Sequence, residues 1–387
     1  MKLSSGFQKR TAVFFGVLLI WALGIAAILA VPGASVRIVH WANGHMLEDR
    51  LLPAFASRFN AASYRTSVGS AVQVVPTLAN SGEITGKLKT LVLHGDPTSA
   101  GPPPAVVTPA ADHWMGNLRF DVGQPLWRDE HARPIASTYL GIVTTRAMAE
   151  CLGWPEREVG FEDVIRLGSQ PQGWRSYACA RPEWGDDALL GFTYPERSST
   201  ARSLLYTFYS IAARKPVEAL TVDDIHSPQV SEMMRTFRRR VSCYLPDTLD
   251  MNLKLVPVPS CAQFFFIAED NLVKLYQGKV AGQALERDLV MIYPREGAVI
   301  HNHSSFVLDA SWVSPEQQEA AGLWVDFLRD EPQQRALMQD GFRRVTAGPC
   351  IDPLGSPFSP CQVSPRRLIN PDRIDPAVAD EILREWR

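Results

Sequence analysis

The stretch Val36-Arg37-Ile38-Val39-His40-Trp41, closed by Asn43-Gly44 and followed by Leu47, Leu51, Phe55 and Phe59 at a period of four, decides the fold class. The β-branched and aromatic run predicts a strand, Asn-Gly a turn, and the four-residue period an amphipathic helix. Pro53 either kinks that helix or marks a second start. The alternation then repeats. Val72-Gln73-Val74-Val75 predicts a strand, and Ile84, Leu88 and Leu91 predict a helix that Gly86 weakens. Ala105-Val106-Val107, ending at Thr108-Pro109, and Leu140-Gly141-Ile142-Val143 predict two more strands. Strand, crossover helix, strand implies an α/β fold with a parallel sheet covered on both faces.

Helix signals sharpen downstream. Ser314-Pro315-Glu316-Gln317 carries an N-cap serine, a proline at the first helical position and a glutamine at the third, with Ala320, Ala321, Trp324, Phe327 and Leu328 on one apolar face. Asp330 can cap a second helix that Gly341 ends. Ser198 or Ser199 can cap a helix carrying Leu204, Leu205, Phe208 and Ile211. The run CAQFFFIA at 261–268 is a buried strand or helix by length. The Pro-rich last forty residues are expected to wrap the surface.

Residues 11–31 are free of charge, and 21 residues of helix span about 30 Å, the thickness of a bilayer core. Lys2, Lys9 and Arg10 precede the stretch, and no positive charge follows until Arg37. The positive-inside rule then keeps the N-terminus in the cytoplasm and exports the rest. A signal peptide has a shorter apolar core, and Val31-Pro32-Gly33-Ala34-Ser35 is a poor cleavage site, so an uncleaved anchor is the preferred expectation. This predicts a single-pass protein of the cell inner membrane, its body periplasmic or extracellular. The 387 residues suggest about two domains. Basic residues (39) nearly balance acidic ones (41), which gives no footing for nucleic acid as a partner.

Cys151, Cys179, Cys243, Cys261, Cys350 and Cys361 suit an oxidising compartment. Cys350 and Cys361 flank a Pro/Gly-rich loop and are the favoured pair. No C-x-x-C, G-x-S-x-G, S-x-x-K, Walker lysine or G-x-G-x-x-G motif occurs, so the chain is not expected to be an enzyme, and no cofactor is expected. His40, His45 and His113 with Asp112, or His301 with His303, have no known metal-ligand spacing, and no metal is expected.

In open α/β sheets ligands sit at the C-terminal ends of strands, where helix N-termini present free N–H groups. Three segments have this design: Trp41-Ala42-Asn43-Gly44-His45, Thr108-Pro109-Ala110-Ala111-Asp112 and Ser198-Ser199-Thr200. Trp41, Asn43, Gly44, Thr108, Asp112, Ser198, Ser199, Thr200 and Tyr293 are therefore the candidate ligand-binding residues. Each has an ordinary alternative: a turn for Asn43 and Gly44, a helix cap for Asp112 and Ser198 to Thr200, core packing for Trp41 and Tyr293. Helix N-termini favour an anion, so an oxyanion is one expected solute.

The body resembles the type II extracytoplasmic solute-binding proteins of ABC transporters. Leu51-Leu52-Pro53-Ala54-Phe55 and Gly82-Glu83-Ile84 are similar to the opening of that family. Residues 105–114, from Ala105-Val106-Val107-Thr108-Pro109 to His113-Trp114, resemble its first ligand-contacting segment. Ile292-Tyr293-Pro294-Arg295-Glu296-Gly297 resembles its return into the first lobe, and Gly341-Phe342-Arg343 the end of the helix that follows. Gly191-Phe192-Thr193-Tyr194-Pro195 with Ser198-Ser199-Thr200 looks like members found near von Willebrand A-type proteins. With 1–10 read as a cytoplasmic N-terminus and 11–31 as an anchor (or signal peptide), the resemblance implies a first lobe (36–137 plus 291–345) and a second lobe (138–290), which leaves a C-terminal extension (346–387). Crossovers are expected near 136–141 and 288–294. It further implies capture of a small-molecule solute between hinged lobes and delivery to a membrane partner, an ABC permease or a von Willebrand A-type protein. The helical tether departs from the family pattern. A membrane-anchored interaction or sensor module without transport is the alternative.

Overall fold

Pairing at the centre of the chain fixes the architecture. In the computed structural model, which describes residues 34–47, 51–95, 101–255, 261–280, 282, 285 and 288–387, strands β1 (Ser35–Ala42), β2 (Ala71–Leu78) and β3 (Val106–Thr108) form a parallel set ordered β2-β1-β3. The expected anchor at 11–31 lies outside the described residues. Among the described residues no helix is long and apolar enough to cross a membrane.

Strand β4 (Ala132–Thr145) is far longer than the four residues its apolar pattern suggests. Arg133, Pro134, Ser137 and Thr138 interrupt that pattern, and a register shift between Pro134 and Ala136 accommodates the proline. Four further strands, β5 (Leu190–Thr193), β6 (Val241–Leu245), β7 (Phe264–Ala268) and β8 (Leu289–Ile292), extend the sheet, and β9 (Ala298–Val307) returns through it. The β9 strand runs antiparallel to both β3 and β4, and β4 antiparallel to β7 and β8. The parallel expectation therefore applies to β1–β3 and to β5, β6 and β7, but not to the middle of the sheet.

Two bodies of core follow. One draws on residues 36–136 and 306–342, the other, in two clusters, on residues 140–299 and 374–386. We call them the first and second lobes. The chain leaves the first core after Ala136, enters the second at Leu140, and returns between Val299 and Phe306. That return lies later than the expected 288–294, because β8 still pairs with the second-lobe half of β4.

In the first lobe the helix Leu51–Ala61 buries Leu52, Phe55, Ala56 and Phe59. Pro53 sits within its first turn, where backbone N–H groups lack intrahelical acceptors, so it marks a second start and not a kink. The helix Ser81–His94 opens on a capping box, Asn80 Oδ1 accepting from Glu83 N and Glu83 Oε2 from Asn80 N. Ser314 caps Pro315–Leu328 in the same manner, and Ser198 caps Ser199–Ala213.

The last forty residues are not a mere surface wrap. Strand β10 (Leu368–Ile369) pairs parallel with the start of β9. The helix Pro376–Trp386 buries Val378, Ala379, Ile382, Leu383 and Trp386 in the second core. Trp386 packs against Phe192 and Phe237, and its indole N–H donates to the Tyr244 hydroxyl at 2.8 Å. Disulfides join Cys350 to Cys361, as favoured, and also Cys151 to Cys179 and Cys243 to Cys261.

A buried relay locks the end of β1. The Trp324 indole donates to His40 Nδ1 at 3.0 Å, so the imidazole carries its proton on Nε2 and donates to Thr108 Oγ1 at 2.8 Å. Thr108 Oγ1 in turn bonds Ser305 Oγ at 2.7 Å, joining β1, β3 and β9. Burial lowers the His40 pKa to about 3. The unfolded chain protonates this group near 6.5, so its contribution is complete above that pH and falls as pH drops towards 3, by ~1.4 kcal/mol per pH unit. Urea unfolding of the wild type between pH 7 and pH 5 should show this slope, and His40→Gln should be flatter by about one proton. Equal slopes would contradict the assignment. Trp386→Ala should cost about 3 kcal/mol in the same assay. A surface wrap would lose almost nothing.

Candidate functional site

Six strands end at one cavity of about 270 Å³. From the first lobe, Asn43 and Gly44 follow β1, Leu78 ends β2, Asn80, Ser81 and Glu83 come just after it, and Ala110 follows β3. From the second lobe, Arg197, Ser198 and Ser199 follow β5. Asp247, Thr248, Leu249 and Asn252 follow β6, and Asn271 follows β7. Both halves of the sheet thus present the C-terminal ends of their strands to the same space, the usual place for ligands in open α/β sheets.

Four helices of eight residues or more begin there, Ser81–His94, Ser199–Ala213, Thr248–Leu255 and Glu269–Tyr276, and each start has a capping bond from its own chain. Asn80 and Glu83 cap Ser81–His94. The Ser198 hydroxyl accepts from Ala201 N at 3.4 Å and from Thr193 Oγ1 at 2.9 Å. At the start of Thr248–Leu255, Asp247 Oδ1 accepts from Asp250 N at 3.3 Å. Arg197 lies 3.9 Å from the other Asp247 oxygen.

Direct bonds join the lobes beside the cavity. The Trp114 indole of the first lobe donates to Ser199 Oγ of the second at 2.8 Å, and Ser199 Oγ donates back to Ser81 Oγ at 2.9 Å. Ser81 Oγ also accepts from Ala110 N at 3.0 Å, closing a buried four-group relay. The Arg202 guanidinium stands 3.5 Å from the centre of the Trp114 ring. A Cβ on Gly82 would fall 2.3 Å from the Glu196 carbonyl oxygen across the lobe boundary.

Of the residues expected from sequence, Asn43, Gly44, Ser198 and Ser199 line the cavity. The Asn43 amide is fixed by donation to Thr108 O at 3.0 Å and by a bond to His303 Nδ1. The other five lie elsewhere. Trp41 is buried in the first core with the Lys87 ammonium over its ring. Thr108 belongs to the His40 relay. Thr200 turns behind the cavity wall to accept from Thr248 Oγ1 at 3.1 Å. Asp112 neither caps its helix nor lines the cavity, since its carboxylate accepts from Ser304 Oγ on β9 at 2.8 Å. Burial, and then the nearby Asp372, raises its pKa well above the usual carboxylate range. Tyr293 borders a different cavity with Glu158 and Arg295, its hydroxyl donating to Glu269. Burial, and then Glu269, raises that hydroxyl's pKa. His40 and His113 do not converge, because His40 sits in its relay while His113 Nδ1 pairs with Asp372 at 3.1 Å.

Sequence reasoning missed Asn80, Asp247, Thr248, Asn252 and Asn271. Asn80 was legible through its capping spacing to Glu83. Asp247, Thr248 and Asn252 depend on β6, whose mixed residues Val241-Ser242-Cys243-Tyr244-Leu245 give no strand pattern, and Asn271 on which face of the helix after β7 meets the cleft.

No protein-family model and no curated protein matches the sequence. Solved structures do match. A periplasmic thiamin-binding protein aligns over 92% of this chain and 99% of its own, with a TM-score of 0.59 and 10% identity. Iron-bound HitA from Pseudomonas aeruginosa aligns over 91% and 99%, with a TM-score of 0.56 and 14% identity. The sulfate-binding protein SubI from Mycobacterium tuberculosis H37Rv aligns over 88% and 96%, with a TM-score of 0.54 and 14% identity. These structural neighbours are binding proteins, not enzymes, and at such identities the likeness is one of fold: the chain has the two-lobed α/β fold of periplasmic solute-binding proteins.

Proposed function

We propose that this protein is an extracytoplasmic solute receptor that captures a small polar solute between its lobes and presents it to a membrane transporter. The observation that carries this reading is the cavity built from strand ends of both lobes. The two strands that cross between the cores supply a hinge, and solute contacting both sides would hold the lobes shut. The charge-free stretch 11–31 would tether the receptor and raise its effective concentration at a partner in the same membrane. An ABC permease and a von Willebrand A-type protein are the partners that the sequence resemblance suggests.

A thermal-shift screen of the full-length chain in mild detergent tests the reading with oxyanions, sugars, amino acids, polyamines and divalent metals. One chemical class should give a saturable rise, worth about 2.7 kcal/mol at a hundredfold excess over Kd. Gly82→Ala should weaken that binding and enlarge the radius of gyration in solution scattering, because the added methyl has no room against the Glu196 carbonyl where the two lobes meet. The substitution favours the isolated helix by roughly 0.5–1 kcal/mol, so lost binding would not reflect an unfolded lobe. A chain that binds no class supports an anchored interaction module instead.

A further inference from the structure

We propose that the cleft takes an uncharged polyhydroxyl solute, a sugar or a cyclic polyol, and not an oxyanion. This rests on the receptor reading above. Three observations carry it.

The positive ends of the helices are already used. Glu83 and Asp247, both carboxylates, and the Ser198 hydroxyl each take up a backbone N–H at three of the helix starts that would otherwise attract an anion. An oxyanion entering the cavity would meet two carboxylates against one guanidinium, that of Arg197, which lies 3.9 Å from Asp247. For a cation, the two carboxylates are already engaged, Glu83 by Asn80 N and Asp247 by Asp250 N with the Arg197 guanidinium 3.9 Å away.

Asn252 supplies the second observation. It is 4% exposed, lines the cavity, and its Oδ1 has no hydrogen-bond partner among the described residues. A buried amide oxygen left unpaired costs about 1–3 kcal/mol, so this atom calls for a donor. A fully ionised oxyanion has none. A hydroxyl both donates and accepts, and so satisfies the carboxamide in either orientation of its oxygen and nitrogen.

The third is the apolar rim. Leu78 of the first lobe and Leu249 of the second are 55% and 39% exposed and border the same cavity as the amides and hydroxyls. Such mixed walls suit a ring with hydroxyl edges and C–H faces.

Calorimetric titration of the full-length chain in mild detergent tests the proposal, with glucose, trehalose and myo-inositol against sulfate, phosphate and spermidine. At least one polyhydroxyl probe should bind saturably. Asn252→Ala should weaken that binding about tenfold or more without lowering the melting temperature of the solute-free protein. Asn252→Asp, which keeps the acceptor, should bind the same probe within a few-fold of wild type. Sulfate or phosphate binding that Asn252→Asp abolishes would overturn the solute class and leave the receptor reading standing. Polyhydroxyl binding indifferent to Asn252→Ala would place the solute elsewhere and overturn the proposal. Binding of none of the six probes would overturn it too, and only silence across the wider screen above would bring down the receptor reading.

Discussion

The antiparallel pairing of β4 with β9 is the constraint on which the rest depends. From Ala132 opposite Phe306 to Leu140 opposite Val299, the two strands run side by side while the cores around them change. Their backbone bonds join the lobes without filling the space between them. A cleft at the strand ends and a hinge beneath it are therefore one consequence of this topology. Ser137 Oγ donates to His301 O within the pair, and His301 Nε2 reaches Ser203 Oγ in the second lobe, so polar bonds continue the crossing into the helix behind Ser198.

A second set of contacts ties the lobes near the crossing. Arg343, just after Phe342 of the first core, donates in a bidentate fork to the fully buried Glu269 at 2.8 and 2.7 Å. Burial raises the Glu269 pKa, and the paired guanidinium opposes that rise. Removing either partner would strand a buried charge, which is why such pairs fix geometry more than they add stability. The C-terminal segment adds a strap. Asp372 accepts from His113 N and Nδ1 in the first lobe, while the helix after it completes the second core.

Much of this was legible in the sequence where local chemistry is explicit. Ser314, Ser198 and the Ile84-Leu88-Leu91 period mark their helices because caps and amphipathic faces are local signals. The first three strands and the 264–268 strand are short runs dominated by β-branched and aromatic residues. What escaped was set by distant partners. Strand β4 takes in Arg133 and Pro134 because β9 lies beside it, and the helix Pro376–Trp386 packs on Phe192 and Phe237, more than a hundred residues earlier in the chain. At the site, loop residues after β1 and β5 were readable as strand-end positions. Trp41 and Thr108 were misplaced because adjacent residues on a strand face opposite sides, and only the register tells which side is the core. Asn252 carries no sequence signal, since an asparagine within a helix looks the same whether it faces solvent or a cleft.

Capture requires the two lobes to close around a bound solute, and an interlobe distance measures that directly. All six native cysteines are in disulfides, so Leu93→Cys on the first lobe and Arg239→Cys on the second would give one spin-label pair at exposed positions. Pulsed dipolar spectroscopy on the full-length chain should show a distribution that shortens and narrows when a solute that raises its melting temperature is bound. Identical distributions with and without that solute would contradict hinged capture.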